Sequence, residues 1–287
     1  MAAPRDLRSG TFGNGMDFLT WGNGPRTLLF LPGGPGSAVP SGVLSRMSRR
    51  WFEPFVEAGY AIWYVTRRRS MPEGHRVEDM AADYAHVISE ELGGRADLVV
   101  GESFGGMIAL YVAALHGDSC GHVAVVVAAA EVSDWGKQVD SRLAAALARG
   151  DTAGFGAAFA EYALPGERAR WVRRIVGPWI GRSLLSGRSY PPADLAVETA
   201  AEISFDARPV LARIEKPVLL IAGDRDRFFP REVVEETARL IPGCTLVVYE
   251  GQGHMRVAAS RRVAPDVLAH VDRNETAPPD GRQSTGL

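Results

Sequence analysis

Asp97-Leu98-Val99-Val100-Gly101-Glu102-Ser103-Phe104-Gly105-Gly106-Met107 is the stretch whose reading decides the fold. After Asp97 its next three residues form a short apolar run of the kind that fills a strand buried on both faces. Met107–His116 then has helical character. Between them lies G-x-S-x-G, a pattern weak by itself and informative in this setting, because a serine on a tight strand-to-helix turn is forced outward with its hydroxyl exposed. Glycines on both sides let neighbouring backbone pass close by. The helix that follows aims its N-terminus at the same point and favours negative charge there.

Outward from this turn the same alternation repeats. Thr27–Leu31, Ala61–Thr66, His122–Ala128, Pro217–Ala222 and Cys244–Tyr249 are further apolar runs, most of them ending in Gly- or Pro-containing loops. Helix-like stretches at Val77–Leu92 and Arg231–Leu240 fall between them. Apolar strands alternating with helices predict a mostly parallel sheet covered on both faces. Thr11–Trp21 supplies a first antiparallel strand or hairpin. The alternation lapses over 131–205, where Val139–Arg149, Gly154–Ala163 and Glu167–Val176 read as helices and Gly177-Pro178 as a stop. Residues 1–130 and 206–272 are thus expected to form the core and 131–205 a helical lid, its Trp135, Trp171 and Trp179 bordering the pocket beneath, with Tyr190 a further large ring to cover. From 273 to 287 the composition predicts a disordered tail.

Composition weighs against several functions. The 287 residues are 46% hydrophobic and carry a formal net charge of −2, which gives no reason to expect nucleic acid or an anionic membrane as partner. No run reaches the roughly 18 apolar residues of a spanning helix, and the first residues do not resemble a secretory signal. Cys120 and Cys244 suggest neither a metal site nor a disulfide framework, so a cytoplasmic chain without metal or organic cofactor is the expectation.

A serine hydroxyl becomes a nucleophile only when a base takes its proton. Of six histidines, His254 stands out in Gly251-Gln252-Gly253-His254, after the last strand and before a helix. Such a base needs a carboxylate to orient it. Gly223-Asp224-Arg225-Asp226 follows a strand at the sheet edge where these folds collect functional groups, and leaves Asp224 and Asp226 both open. An oxyanion requires two N–H donors. Phe104 supplies one. In Pro32-Gly33-Gly34-Pro35-Gly36 the prolines have no N–H, which leaves Gly34, with Gly33 behind it.

These residues resemble the α/β-hydrolase superfamily over roughly Thr11 to Val271. The resemblance implies the chain order Ser103, acid, His254 and favours Asp226, because Gly223-x-x-Asp226-x-x-x-Pro230 resembles the family's acid loop. Leu31-Pro32-Gly33-Gly34-Pro35-Gly36 resembles the His-Gly-Gly-Pro-Gly loop of the proline iminopeptidase-like branch, with Pro32 in place of the histidine. Thr66-Arg67-Arg68-Arg69-Ser70 stands where that branch has Asp-x-Arg-Gly. Either one of Arg67, Arg68 and Arg69 meets an acidic substrate group, or the run is solvated surface. Ser103 argues against epoxide hydrolases and haloalkane dehalogenases, which place an aspartate at the turn. The resemblance thus implies a serine hydrolase acting on an ester, thioester or amide of a small molecule. The same triad serves carbon–carbon bond hydrolases and other reactions, and a small-molecule receptor retaining it is a further alternative.

Overall fold

A computed structural model describes residues 6–34, 36–185 and 191–276. Among them, eight strands form one sheet in the order β1-β2-β4-β3-β5-β6-β7-β8. The strands are β1 (Arg8–Thr11), β2 (Met16–Trp21), β3 (Arg26–Leu31), β4 (Tyr60–Arg68), β5 (Ala96–Glu102), β6 (Cys120–Val126), β7 (Val218–Gly223) and β8 (Thr245–Tyr249). β1 and β2 make an antiparallel hairpin that begins three residues before the expected Thr11–Trp21, and β2 pairs antiparallel with β4. All remaining pairs are parallel. Each apolar run read as a strand lies in this sheet.

The helices in chain order are α1 (Gly42–Glu57), α2 (Val77–Glu91), α3 (Phe104–Leu115), α4 (Asp134–Ala148), α5 (Thr152–Phe159), α6 (Arg170–Leu184) and α7 (Pro192–Ile203). They continue with α8 (Arg208–Leu211), α9 (Arg231–Leu240), α10 (His254–Ala258) and α11 (Val263–Thr276). Strand alternation divides the core in two. Leu29, Leu31, Val99, Val123 and Leu220 face α2, α3 and α9. Leu28, Phe30, Leu98, Val100 and Leu219 face the side covered by α1 and α11, where Phe52, Phe55 and Val267 meet them. No described helix is long and apolar enough to cross a membrane.

Two sequence expectations need correction. α6 does not stop at Gly177-Pro178 but runs to Leu184 with Pro178 inside it. Pro178 lies on the exposed side, where water can satisfy the carbonyl whose partner it lacks. The glycines have a packing role. A Cβ at Gly156 would fall 1.9 Å from the Gly177 carbonyl oxygen, and one at Gly181 would fall 1.8 Å from that of Thr152. α5 and α6 therefore touch backbone to backbone. The tail also begins later than expected, because α11 continues through residues 273–276 and Glu275 pairs with Arg26. The rest of that segment, 277–287, lies outside the described residues, as does Tyr190.

Candidate active site

Ser103 joins β5 to α3 with φ +52°, a conformation that L side chains rarely adopt and that persists only where neighbours hold it. Its N–H donates to the Val126 carbonyl at 2.8 Å. The flanking glycines are dictated by contact. A Cβ at Gly101 would sit 2.3 Å from the Gly105 carbonyl oxygen, and one at Gly105 2.0 Å from that of Leu31.

The loops after β7 and β8 bring a carboxylate and an imidazole to this turn. His254 Nε2 lies 2.9 Å from Ser103 Oγ, and His254 Nδ1 lies 2.7 Å from Asp226 Oδ2. The other carboxylate oxygen of Asp226 accepts from the N–H groups of Phe228 and Phe229, at 2.8 and 3.2 Å. Both phenylalanine rings also pack against the imidazole, with centroids 5.5 and 6.0 Å away. Asp224 faces elsewhere and accepts from the Gln252 N–H at 3.2 Å, a loop-closing bond. Phe228 and Phe229 thus fix both members of the pair, a role that their apolar character alone does not signal.

Ser103 and His254 open into a cavity of about 290 Å³ walled by Phe159, Tyr162, Leu164, Val176, Ile180 and Met255, with Gly34 at its edge. Gly34 has φ +90°, and a Cβ on Gly33 would stand 3.0 Å from that of Ser103, so the loop passes directly over the serine. Phe104 is the first residue of α3, where N–H groups lack helical partners.

Arg67 departs from both readings offered for it. It is neither at the cavity nor in solvent, but 1% exposed beneath residues 32–34 and 36. Its Nη1 donates to the Pro32 carbonyl at 2.8 Å, and its Nε and Nη2 grip Glu198 of α7 at 2.7 and 3.2 Å. Glu198 in turn accepts from the Gly36 N–H. The guanidinium also lies 4.5 Å from the centre of the Phe104 ring. One ion pair therefore braces the loop that carries Gly34 and packs on the Phe104 ring, and it does so where the resembling branch has a loop histidine and this chain has Pro32. Arg68 and Arg69 do not line the cavity either, and at the part-exposed surface they pair with Asp83 and Asp17 at 3.2 and 2.9 Å.

The expected tryptophan lining is not found. Trp171 and Trp179 are 66% and 85% exposed on the outer side of α6. Trp135 stacks under Arg227 and meets Phe228 edge-on, outside the cavity that holds Ser103. Sequence reasoning missed instead the acidic face of α7. Asp194, Glu198 and Glu202 are spaced i, i+4, i+8, and all three are buried. Asp194 accepts from the N–H groups of Ser70 and Met71, Glu198 holds the loop over Ser103, and Glu202 lines the cavity. The i+4 spacing was visible, but such a stripe ordinarily faces water.

Buried carboxyl groups stand at and behind the cavity wall. Desolvation raises the Glu102 carboxyl to about 7, opposed by the nearby His254. Burial raises Glu202 well above the ordinary carboxyl range and Asp140 to about 7. Tyr162 donates to Asp140 at 2.5 Å, while one oxygen each of Glu202 and Asp140 has no partner among the described residues.

A model described as "Alpha/beta hydrolase family" matches residues 28–269. A pimeloyl-[acyl-carrier protein] methyl ester esterase of Neisseria meningitidis serogroup A is 27% identical over 208 residues, covering 71% of this chain and 65% of the relative. The serogroup B (strain MC58) enzyme of the same description is 31% identical over 61% of this chain and 68% of its own. A solved hydrolase from Pseudomonas aeruginosa superposes with TM-score 0.71 at 21% identity, covering 94% of this chain and 99% of that one. The enol-lactonase of Burkholderia xenovorans gives 0.68 at 20% identity over 90% and 96%. At such identities the two structures establish the fold.

Proposed function

Because the chain belongs to the alpha/beta hydrolase family, we propose that it is a serine esterase that cleaves small apolar esters through an acyl-enzyme on Ser103. The observation that carries this reading is the hydrogen-bonded run Asp226–His254–Ser103 ending in an apolar cavity. The description of the meningococcal relatives as methyl ester esterases favours esters within the wider class of esters, thioesters and amides.

In this mechanism His254 Nε2 takes the Ser103 proton as Oγ attacks the ester carbonyl carbon. Asp226 accepts the Nδ1 hydrogen, which fixes the tautomer and offsets the charge of the imidazolium. The carbonyl oxygen, now an anion, is held by the N–H groups of Gly34 and Phe104. Collapse breaks the C–O bond, and His254 returns its proton to the leaving alkoxide. Water then repeats the sequence on the acyl-serine, releasing the acid and restoring the hydroxyl. The segment 131–205 acts as the lid, with α5, α6 and α7 forming the roof and far wall of the cavity. At about 290 Å³ the cavity suits a short or medium acyl group.

A series of p-nitrophenyl esters of increasing acyl length, with the matching thioesters and anilides, tests the reading. The expected result is that kcat/KM peaks within the shorter esters and exceeds that of the anilides. Inactivity across the whole series in a folded protein would remove it.

A further inference from the structure

We infer that the outer face of α6 is a docking surface for an anionic phospholipid bilayer. The total charge of −2 conceals how charge is distributed. From 168 to 182 the chain has no acidic residue and four exposed arginines, Arg168, Arg170, Arg174 and Arg182, while Arg173 is turned inward onto Glu161 and the Leu164 and Gly166 carbonyls. Interleaved with them, Trp171, Ile175 and Trp179 are 66%, 67% and 85% exposed. Their spacing of i, i+4, i+8 places them in one stripe along the helix. Two tryptophans and an isoleucine left in water on one stripe mark an interaction site, since soluble chains seldom expose large apolar groups contiguously.

Three features select a bilayer as the occupant. Tryptophan favours the boundary between headgroups and acyl chains, with its ring in the apolar layer and its N–H at the polar one. The arginines complement anionic headgroups, and α6 has the composition of a helix that lies in an interface plane. Arg170 and Arg174 also border a cleft of about 790 Å³ that Arg142, Arg149 and Arg227 line from neighbouring elements. Within it Glu161 engages Arg142 and lies 3.9 Å from Arg173, and Glu167 lies 3.8 Å from Arg170, so six guanidiniums, Arg173 included, face two carboxylates. The positive field therefore extends beyond the helix itself.

The docking geometry bears on access to Ser103. α6 turns Val176 and Ile180 toward the cavity, and by helical rotation the exposed stripe, with Arg182 in it, lies between these residues and the pair Arg170 and Arg174. Leu164 and Met255, which line the same cavity, are themselves part-exposed apolar groups. A bilayer meeting the stripe would have the cavity's apolar rim beside it.

Flotation of the full chain with vesicles tests the inference. At low salt the protein should float with vesicles of equal parts phosphatidylcholine and phosphatidylglycerol and not with phosphatidylcholine alone. W171S/W179S and R170Q/R174Q should each lower the partition coefficient about tenfold with an unchanged Tm. Brominated phosphatidylcholine in the mixed vesicles should quench parent tryptophan emission and spare that of W171S/W179S. Ser103→Ala should float like the parent, so that this surface stands or falls apart from the catalytic reading. Absence of flotation, or flotation indifferent to the tryptophans, would overturn it. So would a dimer that W171S/W179S dissociates, which would make a second copy the occupant, or capture by an acidic protein without capture by vesicles.

Discussion

Replacing Arg67 by methionine should damage catalysis from a residue that touches no substrate. The substitution removes the donor to Pro32 and leaves Glu198, 2% exposed, without its cation. Breaking a buried pair from one side costs about 3–5 kcal/mol. With an unfolding entropy near 2.1 cal/mol/K per residue, a chain of 287 residues should lose about 5–8 °C in Tm. If the freed loop no longer presents the Gly34 N–H, kcat should fall by up to about 10²–10³, the usual effect of losing one oxyanion donor. KM should change little, and affinity for a boronic acid inhibitor should fall with kcat. The double change R67M/E198M separates the two effects. Two well-packed apolar groups should restore most of the Tm. The rate should stay low, because the Pro32 carbonyl and the Gly36 N–H still lack partners. Thermal melts and ester kinetics on both variants measure this. An R67M enzyme with parental kcat, or a double variant that regains kcat along with Tm, would refute the bracing role.

Ser103→Ala should retain the parent's melting curve and lose on the order of 10⁶ in turnover, checked with the best ester of the acyl series. Asp226→Asn should lose about 10⁴ in kcat, since an amide cannot hold the His254 tautomer, whereas Asp224→Asn should lose far less because Asp224 bonds only a loop N–H. Stability should fall as pH rises from 4.5 toward 7. Glu102 holds its proton to about 7 when folded, so over that window the unfolded chain is the first to release it. Glu102→Gln should reduce that slope, the buried Asp140 and Glu202 keeping their share of it, and gain about 1–2 kcal/mol at pH 8, the cavity's solvent reducing the full conversion of the shift.

The sheet was legible because buried parallel strands are continuous apolar runs, and every such run lies in it. The Ser103 turn was legible for a similar reason, since a strand, two glycines around a serine and a helix leave one geometry. Asp226 and Asp224 could not be separated by position in the loop. What distinguishes them is the pair of N–H groups from Phe228 and Phe229, a three-dimensional detail. Arg67 was unreadable because its cation lies on β4 and its anion on α7, 131 residues later. Charge runs suggest solvent until such a partner is seen. The same default hid the inward acidic face of α7. Trp171 and Trp179 were misplaced because large rings suggest burial, and nothing local says which side of a helix meets the core. Gly177-Pro178 suggested a stop because the backbone contact of α5 with α6, which those glycines permit, is a tertiary one.

The most direct test of the central claim is the mass of the protein during turnover. Rapid acid quenching of the enzyme with a slowly hydrolysed p-nitrophenyl ester, followed by intact-mass and peptide mass spectrometry, should give a species heavier by one acyl group. The acyl group should lie on the peptide containing Ser103, form as fast as the first equivalent of nitrophenol is released, and be absent from Ser103→Ala. Steady hydrolysis by the parent with no acyl adduct, or an adduct on any other residue that is competent to turn over, would contradict the account.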